Sequence, residues 1–185
     1  MWLEAILAEE DLAQVMKEFL PVKIYLHHQG EEVKKDRWLM LQTATEVALV
    51  TDEGLEVTCP AELVWGIAGM SPTVKVDALR VMIRPRINEL HKGHTLDIHL
   101  QVEEADFHSL PEFMDGTIVK AINAILATKT ISWNFTETLT RKVPLGQMFD
   151  PVEALDIHVK WGKTRIDAKA LTLAISFKID IVRTD

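Results

Sequence analysis

Strict alternation of apolar and polar residues marks a strand with one buried face, and this chain holds several such runs, some too long to lie flat. From Val74 to Ile87 the alternation changes phase: Val74 and Val76 are even, whereas Leu79, Val81 and Ile83 are odd. A slip of one residue turns every later side chain to the other face. A β-bulge near Asp77–Ala78 would absorb it. Thr95 to Val102 alternates cleanly and places Leu96, Ile98, Leu100 and Val102 inside. Near the C-terminus Gly162-Lys163 reads as a two-residue turn. That register sets Trp161 opposite Thr164 and pairs His158 with Asp167 and Asp156 with Lys169. Beyond it Leu171, Leu173, Ile175, Phe177, Ile179 and Ile181 are all odd, which predicts a bulge or bend near Ala168–Leu171. Fully extended, Thr164 to Val182 would span ~60 Å at ~3.3 Å per residue. Strands of that length carrying bulges bend and twist.

The helices are few. Leu12, Val15, Met16 and Phe19 recur at helical spacing, acids open the segment and Pro21 stops it, so a helix is expected over 9–20. Residues 2 to 7 read as a separate short strand or turn. Val22, Ile24 and Leu26 alternate as a strand. Trp38 to Val50 reads as one long strand, and Glu56 to Cys59 as a short one stopped by Pro60. Ser109-Leu110-Pro111-Glu112 has the form of a capping box. It opens a second helix over 109–128, carrying Met114, Ile118, Ile122, Ile125 and Leu126. Ile131 to Leu139 reads as a strand. The expected fold is one α+β domain over 1–185: a long, strongly curved antiparallel sheet wrapped around one main helix, with a second short helix.

The net charge of −8 argues against nucleic acid and against adsorption to anionic membranes. The single cysteine, Cys59, suits a reducing compartment. The start of the chain lacks the pattern of a signal peptide, since Glu4 interrupts the apolar run, and no segment has the length of a membrane span. A cytoplasmic location is the expectation. Glu31 to Arg37 is a charge run that reads as a solvated hairpin loop. Seven histidines invite a metal, but His27 and His28 point to opposite faces of a strand, and His91, His94 and His99 lack the spacing of a zinc site. Glu103-Glu104-Ala105-Asp106 reads as solvated loop and helix start, Asp115-Gly116 as a helix irregularity, and Ser71 as a turn residue. No phosphate loop or nucleophile elbow is present. No catalytic residue, no metal and no cofactor are expected, and the chain does not read as an enzyme.

The pattern resembles the TULIP superfamily of tubular lipid-binding domains, which includes the SMP domains. The resemblance lies in a short strand before a Glu-Glu-Asp-Leu helix start and in the long strands that follow. It continues in a Leu-Pro-led helix through Ile122-Asn123-Ala124-Ile125-Leu126, and in Val143-Pro144-Leu145 before a final hairpin. It implies a curved sheet around a long helix, with lipid tails in the apolar seam, and binding or transport of a lipid. One such unit is present, so a two-lobed arrangement would require a homodimer.

The strongest apolar stripes give the candidate ligand walls. They are Met114, Ile118, Ile122 and Ile125 on the second helix, with Trp133, Phe135, Ile157, Leu173, Ile175 and Phe177 on strands. Scarce aromatics, alanine in the second helix and scattered methionines (Met16, Met40, Met82, Met114, Met148) suit an incompletely filled, adaptable interior. The competing expectation is a structural or protein-interaction domain with a filled core and no ligand.

Overall fold

A computed structural model describes residues 1–27, 36–65, 72–90, 93–108, 111–145 and 151–183. In chain order its elements are β1 (Trp2–Ala8), α1 (Glu9–Phe19), β2 (Val22–Tyr25), β3 (Arg37–Leu41), β4 (Glu46–Val50), β5 (Gly54–Trp65), β6 (Thr73–Leu90), β7 (Gly93–Phe107), α2 (Glu112–Leu126), β8 (Ile131–Asn134), α3 (Phe135–Leu139), β9 (Arg141–Pro144), β10 (Val152–Ile166) and β11 (Ala170–Arg183). Where the sequence suggests one sheet, the strands divide into two curled antiparallel sheets with few helices. The smaller runs β1-β11-β10-β9; the larger runs β2-β3-β5-β6-β7-β8, with β4 also paired to β5.

The bulge expected at Asp77–Ala78 is present. Cys59 faces Leu79 but Ala61 faces Val76, and on the other side the β6–β7 pairing shifts between Val76 and Ala78. Pro60, however, does not end its strand. β5 continues to Trp65, and the Pro60 carbonyl accepts the Gln42 N–H at 2.9 Å. A proline offers no N–H to a ladder, and the break appears in the partner instead. The expected single strand Trp38–Val50 is interrupted over 42–45 and resumes where the Thr45 N–H meets the Thr58 carbonyl at 2.8 Å.

Two further expectations are corrected. Ile131 to Leu139 is a strand for four residues only, because Asn134 caps a helix: its side-chain oxygen accepts the Glu137 N–H at 3.1 Å. Gly162-Lys163 is not a turn. β10 runs through it, Trp161 faces Ser176, and His158 faces Lys178, with Asp156 of its own strand 3.4 Å away. The turn is Asp167 to Lys169. The Asp167 carboxylate accepts the Lys169 and Ala170 N–H groups at 2.9 and 3.0 Å, an aspartate turn. The phase change near Ala168–Leu171 is therefore the hairpin itself. The expected capping residue Ser109 lies outside the described residues, as do His28, residues 31–35, Ser71, His91 and Met148; Pro111 stands at the N-cap of α2 and supplies no side-chain bond.

The main core lies on the larger sheet. Ile122, Ile125 and Leu126 of α2, Leu12 and Met16 of α1 and Leu20 at its C-cap close onto it. Asn123 fixes α2 to β7 through both backbone groups of Val102, accepting its N–H at 2.8 Å and donating to its carbonyl at 2.7 Å. Glu103 and Glu104 lie within β7 rather than in a loop, and pair with Arg84 and Arg80.

Backbone donors of Lys169 and Ala170 hold the Asp167 carboxyl below its usual range. A depressed folded value means that the contribution is present above the ordinary carboxyl range and is lost as pH falls through the folded value. Asp167→Ala should speed amide exchange at Ala170 and Leu171 at neutral pH. Asp167→Asn, which keeps the acceptor, should preserve most of the protection.

Candidate ligand pocket

An apolar pocket of about 240 Å³ opens beneath the end of α1. Its floor is the larger sheet, through Val57, Val81, Ile83 and Leu100, and its walls include Leu20 and Leu126. The sequence explains the gap. Leu12 and Met16 of α1 and Leu20 at its C-cap face the sheet, but Pro21 ends the helix and β2 is only four residues long, so the cover over the sheet is thin beyond Leu20. Phe19 and Ile131 stand at the mouth, 58% and 60% exposed.

Thirteen apolar side chains and two lysines, Lys23 and Lys129, line this space, with no acid among them. Lys129 lies just beyond α2, and its N–H bonds the Leu126 carbonyl at 2.9 Å. Its ammonium meets His27 Nδ1 at 2.9 Å, and burial pushes its pKa down. The Lys23 ammonium stands 4.1 Å from the centre of the Trp38 ring, a cation–π contact.

None of the ten expected wall residues lines this pocket. Ile118, Ile122 and Ile125 close onto the larger sheet, and Ile122 is wholly buried there, so that interface is filled at its centre. Met114 is 38% exposed. Ile157, Leu173, Ile175 and Phe177 share one face of the smaller sheet, beside Leu3 and Leu7 of β1. Trp133 is exposed on β8, its ring 5.9 Å from Phe135.

Phe135 has a different part from the one expected. It is fully buried, and its ring lies over Gly162 of β10, where a Cβ would come within 2.5 Å of it and within 3.0 Å of Ile87. His94 stacks on Phe135 at 6.0 Å, and its ring nitrogen bonds the Lys160 carbonyl at 2.8 Å. The cluster joins the two sheets. An apolar residue in a short run after Trp133 gave no signal for this in sequence.

Cys59 is wholly buried and its thiol pKa is raised by that burial, which opposes thiolate chemistry. Among the described residues no three His, Cys, Asp or Glu side chains converge to hold a metal, and no helix is long and apolar enough to cross a membrane. No protein-family model, no curated protein and no solved structure matches the chain.

The Phe135 seat leads to a stability test. Gly162→Ala should cost ~1–3 kcal/mol by overpacking in denaturant unfolding. Phe135→Leu in the same chain should cancel part of that cost, since the two positions are in contact.

Proposed function

We propose that the protein binds a single-chain lipid or similar hydrophobic molecule, as a small TULIP-like module without catalytic activity. The observation that carries this is the apolar pocket between α1 and the larger sheet. Curled antiparallel sheets, with helices laid on one of them, support the family resemblance. A pocket of 240 Å³ equals about eight water volumes at ~30 Å³ each. That suits one acyl segment rather than a two-tailed phospholipid. Burying ~8 methylenes would gain a gross ~6 kcal/mol at ~0.8 kcal/mol each, before the costs of association.

A second reading, an interaction protein, draws on the smaller sheet. Leu3, Leu7, Ile179 and Ile181 are 38–57% exposed on the apolar face of that sheet. Among the described residues β1 stands at the unpaired outer edge of that sheet. A second copy placed by a two-fold axis could pair along that edge and cover the face. Sedimentation equilibrium at micromolar concentration should show a dimer on this reading, and Leu3→Glu should return it to monomer.

The pocket reading is tested with the neutral fluorescent probe N-phenyl-1-naphthylamine. Saturable binding, competed by decanol, is expected. Ile98 is half-buried on the pocket wall, so Ile98→Trp should plug the space and weaken binding at least about tenfold while the circular dichroism spectrum is kept. A wild-type chain that takes up no probe would sink this reading and leave the interaction one.

A further inference from the structure

Resting on that pocket, we propose that its ligand carries an anionic head, seated by the ammonium group of Lys129. The chain has 28 acids against 20 Lys and Arg, and three of the described basic residues pair with carboxylates. Arg84 bonds Glu53 and Glu103, Arg80 bonds Glu104, and Lys178 lies 2.8 Å from Asp180. Lys129 is not one of these three. Among the described residues its side chain meets only His27, and it meets a ring nitrogen rather than a carboxylate.

The protonation chemistry sharpens the point. An ammonium has three donors and no acceptor, so toward a charged Lys129 the His27 Nδ1 takes the acceptor role. Among the described residues no carboxylate bonds this ammonium. That charge is partly withdrawn from water beside an apolar wall. Lys23 also borders the pocket, but its ammonium lies over the Trp38 ring, on the face of β2 opposite Val22 and Ile24. An amphiphile entering tail first would bring its head to Lys129. A carboxylate or phosphate head would supply the missing counter-charge through charge-assisted hydrogen bonds. An alcohol head would not.

Lys129 also stands beyond the C-terminus of α2, where a cation complements the helix dipole. A purely structural lysine of that kind would stabilise the fold without sorting ligands by head charge. The experiment therefore reads selectivity. Decanoate and decanol are each titrated against bound N-phenyl-1-naphthylamine at neutral pH, in the wild-type chain and in Lys129→Met and Lys129→Arg. Decanoate should displace the probe at a concentration about tenfold lower than decanol. Lys129→Met should reduce that preference to within about threefold and leave decanol binding unchanged, whereas Lys129→Arg should retain it. Equal competition by the two ligands in the wild type overturns the anionic head while the pocket reading stands. So does a preference untouched by Lys129→Met. If neither ligand displaces the probe, the pocket reading falls and this inference falls with it.

Discussion

Among the described residues the two sheets share no strand, so their placement depends on what crosses between them, and one such crossing is the seat of Phe135 on Gly162. A ring can approach a strand's backbone that closely only where the strand has no side chain. Gly162 is therefore fixed by packing rather than by a turn. Around it the polar links are directional. The His94 ring bonds the Lys160 carbonyl, and the His94 N–H donates to the Thr136 hydroxyl at 2.7 Å. Buried bonds of this kind set one relative position, because sliding the sheets would leave each group unpaired in a region that excludes water.

The other end of the seam is closed by different means. Glu9, the first residue of α1, donates its N–H to the Lys169 carbonyl, and its carboxylate accepts the Leu49 N–H at 2.9 Å. Asp52 in the β4–β5 turn donates to the Ile166 carbonyl at 3.1 Å. One acidic residue at a helix start thus touches both sheets. This fixes where α1 begins, and with it which stretch of the larger sheet the helix can cover.

The long strands were legible because their alternation is a direct consequence of one buried face. The Asp77–Ala78 bulge could be placed from the phase alone. Pro60 was not legible, since its missing donor broke the neighbouring strand and left its own intact. Gly162-Lys163 and Asp167–Lys169 are both good turn sequences, and local chemistry alone does not rank them. The aspartate's two backbone bonds decide it, and the ring waiting over Gly162 decides it again from across the molecule. Phe135 alternates with Trp133 as a strand would, yet Asn134 between them caps a helix. The ten expected wall residues are divided between the two sheets: α2 closes onto β7, while the β11 stripe belongs to the smaller sheet. Periodicity reports that a face is buried and says nothing of its partner.

The place of the pocket follows from the same economy of cover. α2 is long enough, at fifteen residues, to bury Ile122 completely against the larger sheet. α1 has eleven residues, begins where Glu9 is tied down, and stops at a proline. Its reach along the sheet is therefore set at both ends by local chemistry, and the apolar surface of Ile83, Ile98 and Leu100 beyond it is left half-buried. A chain selected only for a filled core could close this gap with larger side chains on β2, whose alternation already points Val22 and Ile24 inward. Here the space remains open, and Lys129, which among the described residues bonds no carboxylate, stands on its lining. An apolar space and a partly desolvated cation beside it are costly features singly. On the proposed reading the two together would meet the two ends of one amphiphile.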